Sequence, residues 1–364
     1  MAKAAEGEGI GSRSESQPQE YAPSWVDRFS GWVDGLAGPS WLYYLALGLV
    51  LLMVQTAVLW IEGAYPIGTF LPLHLATAGL VSYLLALLPW LDSTAAMALA
   101  TLRPALTASE EEYRQLRQQL TTLPARPTLV ASLVALTLVI LAEQLGVTLT
   151  SFEAVAGYPV SAGLVYFIYL IGAWVAGAFI YHTIHQLRLI NRIHTRHTRV
   201  DLFRMRPLYA FSRLTALTAA SLTLTLYVDI AVQPGVLYDP RVIGMASIIV
   251  VLAVATFAWP LLGIHRLLAE EKGRLLDENS LLLEAKIVEL HQGLNRGALD
   301  GMENLNMAIA SLEIEQNVLN RIPTWPWQPE TVRLLVTALL LPLGLWIVQV
   351  VLQVIMGPSG LYCV

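Results

Sequence analysis

Residues 41–61 read WLYYLALGLVLLMVQTAVLWI, a run without a single charged side chain. A bilayer core of about 30 Å needs roughly 20 residues of helix, so this run is long enough to cross it once. Six more stretches share its length and character, at 69–91, 128–147, 159–181, 208–230, 242–263 and 331–356. The composition agrees: 55% of the 364 residues are hydrophobic and 13% are charged, whereas soluble domains carry about 25% charge. That balance excludes an ordinary soluble enzyme. It also excludes disorder, because so apolar a chain has ample surface to bury. The expected fold class is all-α, a polytopic α-helical membrane protein with about seven transmembrane helices.

Mostly polar residues precede 41–61 and no small-residue cleavage site follows, so this segment is expected to stay as a permanent span. Orientation follows from Lys and Arg, which accumulate in short cytoplasmic connections. Of the 22 such residues, all but Arg241 lie before the first span, in the 2–3, 4–5 and 6–7 connections or, for Arg213 and Arg333, in the first residues of the spans that follow them. The amino terminus is therefore expected in the cytosol and the carboxyl terminus outside. A net charge of -5 gives no reason to expect a nucleic-acid partner. The single cysteine, Cys363, has no intrachain partner, and it lies too near the end for a prenylation signal.

Residues 1–40 read as a polar, disordered tail followed by a short helix in which Trp25, Phe29, Trp32, Val33 and Leu36 recur at helical spacing. That helix either lies flat in the inner membrane interface or packs on cytosolic loops. Residues 41–264 are the six-span membrane region. Inside it, Ser109 with Glu112 has the form of a capping box and predicts a helix over 110–121, which Pro124 and Pro127 end.

The largest element outside the spans is 265–323. Leu283, Ile287, Leu290 and Leu294 make one helical stripe; Met302, Leu305, Ile309, Leu312, Gln316 and Leu319 make another, with a break at 297–301. They predict a cytosolic amphipathic helical hairpin, its second helix capped by Asp300 with Glu303 and its register set by Gln316 on the apolar seam. Residues 324–364 supply an interfacial Trp- and Pro-rich segment and the seventh span. There Pro323, Pro326 and Pro329 bar regular helix.

The runs Leu120-Thr121-Thr122-Leu123-Pro124-Ala125-Arg126-Pro127 and Pro323-Thr324-Trp325-Pro326-Trp327-Gln328-Pro329 resemble segments of uncharacterised prokaryotic multi-pass membrane proteins. The resemblance extends over most of the membrane region. It implies a prokaryotic plasma-membrane setting and transfers no activity and no site.

Two groups of polar residues are candidates for chemistry. His182, His185, His194 and His197 lie in one stretch, and metal sites do use pairs three residues apart. No Cys, Asp or Glu lies among them, however, and the interleaved arginines repel a cation. A basic helix facing anionic lipid head groups through Arg188, Arg192, Arg196 and Arg199 is the stronger reading, at about 1 kcal/mol per cationic side chain. The second group, Glu62, His74, Glu143 and Asp229, falls at similar depth toward the outer leaflet. Ionisable groups in spans are costly and are functional candidates by default. They read either as an outward-facing cation or proton site, or as side chains reaching to the outer interface.

Trp259-Pro260 and Pro342 predict kinks, and Gly172 and Gly177 predict close helix contact. No phosphate-binding glycine loop, HExxH, GxSxG or cysteine cluster occurs, so neither a cofactor nor a catalytic set is expected. The expected function is a non-enzymatic membrane sensor or scaffold acting through the hairpin. Its stripe of Met302, Leu305, Ile309, Leu312 and Leu319 would meet a second copy of the chain or a cytosolic protein. The alternative is a transporter or channel with its site near Glu143.

Overall fold

The computed structural model describes residues 22–144, 155, 157–197, 202–203, 205, 209–232, 240–296 and 301–325, with 332–333, 336–337 and 340. Among them lie nine α-helices and no β-strand: α1 (Trp25–Asp34), α2 (Ser40–Ile61), α3 (Pro72–Leu102), α4 (Glu110–Thr121), α5 (Ala125–Gln144), α6 (Pro159–His197), α7 (Ala210–Val232), α8 (Pro240–Arg296) and α9 (Met302–Arg321). Four of these, α2, α3, α5 and α6, are long and apolar enough to cross a membrane. The expected spans at 208–230 and 242–263 coincide with α7 and the first part of α8. The expected seventh span and the expected tail lie outside the described residues, but for scattered positions.

Helix α3 is the hub and packs on α2, α6 and α7. The reason is its pattern: Val81, Leu84, Leu88, Leu91, Ala95, Leu99 and Leu102 are all buried, and their steps of three or four keep one stripe turned inward. Helix α5 sits at the edge, with only Thr128 and Ser132 buried. It lies on α6, its main neighbour, at a point that has no room for a side chain. A Cβ on Gly177 would stand 2.6 Å from the Ala131 carbonyl oxygen and 2.8 Å from both Ala135 Cβ and Ser132 Cα. Gly172, its predicted companion, has nothing nearer than Val81 at 3.7 Å.

The helix predicted over 110–121 is α4, with its capping box formed: Glu112 N donates to Ser109 Oγ and Ser109 N to the Glu112 carboxylate. Helix α1 packs on α2, α3 and α5. Val26 and Val33 are buried, and the Trp25 and Trp174 rings lie 6.0 Å apart. The segment before it pairs with the α4–α5 link, Ser24 N donating to Leu123 O at 3.0 Å and Ala125 N to Ala22 O at 3.1 Å. Asp27 Oδ2 takes the Ser24 amide and hydroxyl and also the Leu123 amide.

The hairpin departs from expectation in three ways. First, its first helix is no separate element beginning at residue 265. Helix α8 runs 57 residues without a break, roughly 85 Å, straight through Trp259 and Pro260. Second, the cap of α9 is Gly301, with φ 86° and no side-chain cap bond; a left-handed backbone favours glycine there. The predicted capping residue, Asp300, lies outside the described residues. Third, the buried polar residue of the seam is Asn279 on α8, while Gln316 is half-buried. Asn279 Nδ2 donates to Leu312 O and to Glu315 Oε2, both at 3.2 Å.

Helix α8 covers part of the predicted stripe: Leu319 is buried, and Met302, Leu305, Ile309 and Leu312 are half-buried. Lys272 Nζ donates to the carbonyls of Asn320 and Ile322, satisfying the C-terminal end of α9 with a cation. Beyond it, His265 donates from Nδ1 to Thr324 O and stacks on Trp325 at 4.0 Å. Trp325 stays exposed on its other side.

Asn279→Ala is expected to destabilise the hairpin by about 1–2 kcal/mol, since it removes both bonds and leaves Glu315 without this donor. A broadened α8–α9 distance distribution between spin labels, with the membrane helices unchanged, is the readout. An unaltered distribution would show that the apolar stripe alone sets the register.

Candidate functional site: an acidic cleft between α1, α3 and α6

Asp92 lies on α3, three residues after Pro89, whose missing amide leaves the Leu85 carbonyl without its usual helical donor. His182 lies on α6. Asp92 Oδ1 accepts from His182 Nε2 at 2.8 Å and from Gln186 Nε2 at 2.9 Å. Gln186 also reaches Leu120 O, and His185 Nε2 donates to Gln119 O at 3.0 Å. The end of α4 is thus tied to α6, and the carboxylate is held by two donors one helical turn apart. The His182 side chain is 1% exposed and that of Asp92 18%. Facing a carboxylate, Nε2 is the donor of this bond, while Nδ1 is buried and has no hydrogen-bond partner.

The pair borders a cleft of about 270 Å³ between α1, α3, α6 and the α4–α5 link. Asp27, Ser30 and Asp34 line it from α1, and Thr121 and Leu123 from the end of α4 and the link. Asp27 is half-buried, with Oδ2 engaged as described above. Asp34 is exposed, and its Oδ1 accepts the Ser40 hydroxyl at 2.5 Å. Three carboxylates therefore face the cleft, and no Lys or Arg lines it.

The predicted histidine quartet does not assemble. His182 and His185 take the partners just given. His194 is buried edge-on to Phe211 at 5.2 Å with neither ring nitrogen bonded. His197 offers its carbonyl to Thr107. Among the described residues no three His, Cys, Asp or Glu side chains are placed to hold a metal ion. Arg188, Arg192 and Arg196 are exposed in a row at spacing four on α6, and Arg199 lies outside the described residues.

Among the described residues the outer set forms no group of three around a metal ion either. Glu62 is the cap of α6: its Oε1 accepts Val160 N at 3.0 Å and its Oε2 accepts Ser161 N at 2.6 Å, placing negative charge at a helix N-terminus. His74 is buried with Nδ1 unbonded, and Glu143 has Oε1 buried without a partner. Asp229 lies on α7, its side chain outside the described residues. The neighbouring Ser161 hydroxyl, itself short of a formed hydrogen bond, and then the two amides hold the Glu62 carboxyl below its ordinary value.

A depressed carboxyl stabilises the fold fully above the unfolded value of about 4.3 and loses that contribution as pH falls through its folded value. Glu62→Gln should therefore lower the apparent melting temperature near neutral pH. The gap from wild type should close below about pH 4. A gap that persists undiminished in acid would mean that Glu62 acts through packing.

Counting could have found the Asp92–His182 pair. Each residue sits one position past the inner end of its expected span, 69–91 and 159–181, so the two share a depth. No protein-family model, curated protein or solved structure matches the chain.

Proposed function

We propose that the protein is a non-enzymatic, multi-pass membrane sensor in which the state of the acidic cleft passes through α6 and α8 to a protein bound at the hairpin. The observation that carries this reading is the unbroken α8, which packs on α6 and α7 at one end and on α9 at the other. The helix is continuous from its seam with α6 to the hairpin, Pro260 included, so a shift of α6 against α8 is carried along one element. The seam between them is close: a Cβ on Gly263 would stand 2.4 Å from Asn191 Oδ1. The predicted stripe is partly covered by α8, and the far side of α9 offers the free surface, with Met307, Ile314 and Val318 exposed along one face. The reading takes seven spans in a prokaryotic plasma membrane, amino terminus inside and carboxyl terminus outside, on the distribution of Lys and Arg. It sets Arg188, Arg192 and Arg196 against anionic lipids.

A photo-crosslinking residue at Val318, in native membranes, tests it. An adduct with a second copy or another protein is expected, abolished by Ile314→Asp and changed in yield by Asp92→Asn. No adduct, or one indifferent to Asp92, would overturn the reading.

The transporter reading has one observation in its favour, the buried and unbonded Oε1 of Glu143; Glu62 is committed to capping α6. Glu143→Gln should abolish cation-dependent thermal stabilisation if that site exists, and an unchanged profile would sink it.

A further inference from the structure

We propose that helix α1 is a seat on the bilayer surface: Arg28 and Trp32, one turn apart on its outward face, lie in a layer of anionic lipid headgroups. The partner is the membrane, met at a place distinct from the arginine row of α6. The inference stands whether or not the cleft is a sensor.

The two sides of α1 differ in kind. Val26 and Val33 are buried against the bundle, and Asp27 and Asp34 line the cleft. Residues four apart share a helix face, so Arg28 and Trp32 lie together. Both are exposed, the tryptophan by 62%. Arg28 is the one cation of α1. Both acids of the helix thus border the cleft while its cation does not, and the outward face has the sign that suits an anionic surface.

The level of α1 along the bundle names what meets that face. No charged side chain lies between Asp34 and Glu62, a stretch that holds all of α2, and Asp92 is the first Asp, Glu, Lys or Arg of α3. Helix α1 sits across the boundary these positions mark. Its Phe29 ring lies 6.3 Å from that of Tyr44, near the start of α2, and it shares the cleft with Leu88, Pro89 and Asp92 of α3. Trp41 lies three residues before Tyr44 and Trp90 one after Pro89, and both are exposed. Three exposed tryptophans therefore fall in one band, where two helices long and apolar enough to cross a membrane meet charged sequence. That is the pattern of an interfacial aromatic belt, in which the indole rests on hydrocarbon and its N–H reaches polar groups. From Trp41 the exposed apolar surface continues along α2 through Leu42, Leu45, Leu49 and Met53, so the face of α1 is continuous with surface that lipid chains cover. A protein partner at this level would have to displace lipid.

Spin-label accessibility tests this on the full-length protein in nanodiscs of phosphatidylcholine, alone or in equal parts with phosphatidylglycerol. On a Cys363→Ser background the label goes to Gly35→Cys, which keeps Arg28 and Trp32. Gly35 is exposed, and a Cβ there meets nothing nearer than the Trp32 carbonyl oxygen at 3.4 Å. Leu49→Cys on α2 and Glu284→Cys on the distal part of α8 are the references for hydrocarbon and water. Collision rates with oxygen and with a water-soluble nickel chelate are expected to fall between the two references. A nickel rate equal to that at Glu284 would place the face in water, and low rates for both reagents would place it under a second copy of the chain; either overturns the proposal. Hydrogen exchange on the wild-type chain gives a reading that no label can disturb. Phosphatidylglycerol should slow exchange of the α1 amides about fivefold, the worth of one cation at an anionic surface, and Arg28→Gln should remove the difference. Exchange indifferent to lipid charge would overturn the proposal.

Discussion

Gly177→Val should detach α5 from α6. The first atom added meets the Ala131 carbonyl oxygen at 2.6 Å and two further α5 atoms at 2.8 Å, two of the three belonging to backbone that cannot rotate aside. Overpacking costs about 1–3 kcal/mol where side chains can yield, and a backbone obstacle puts this substitution at the upper end, about 3 kcal/mol. Helix α5 has little else to hold it, since Thr128 and Ser132 are its only buried residues. Cysteine crosslinking between α5 and α6 should fall to background while α2, α3 and α6 stay protease-resistant. Gly172→Ala is the control: its nearest neighbour is 3.7 Å away, ordinary contact distance, and it should be nearly silent. Equal behaviour of the two variants would refute the steric account.

Asp92→Ala is the second large effect. It strips the shared acceptor on α3 from His182 and Gln186 of α6 at once, leaving the buried His182 Nε2 without its partner and Gln186 with Leu120 O alone. Removal of one partner of a buried, hydrogen-bonded charged group costs about 3–5 kcal/mol; partial exposure of Asp92 lowers the expectation here to about 2–4 kcal/mol. Asp92→Asn, which keeps one acceptor oxygen, should lose less. A double-mutant cycle with His182→Ala, read as melting temperature in mild detergent, should show coupling of about 1–3 kcal/mol. Strict additivity would mean that the two side chains are neighbours without an energetic bond.

The difference in what the sequence disclosed follows from the range of each interaction. The α4 capping box was legible because Ser109 and Glu112 are three residues apart, and the α9 stripe because periodicity is a property of a single helix. Asp92 was not, because its partner is 90 residues away and reading His182 through its sequence neighbours found only arginines. Glu62 looked like an ion ligand for the same reason: the α6 amides that occupy it are 98 and 99 residues distant. The hairpin register misled differently. Asn279, four residues before Leu283, and Gln316 are both polar residues on apolar stripes, and only packing decides which of the two is buried.

The attachment of α1 to the α4–α5 link has a consequence for the order in which the molecule is made. Asp27 and Leu123 are 96 residues apart, and a ribosome adding about 5–20 residues per second needs roughly 5–20 s to cover that interval. Helix α1 also packs on α2 and α3, and Phe29 meets Tyr44, so part of its seat is made well before the link. Leu123 comes last, 35 residues after Leu88, which lines the same cleft. The Asp27–Leu123 bond is therefore the closing step: the acidic cleft is an unfinished groove until the α4–α5 link emerges and completes its wall.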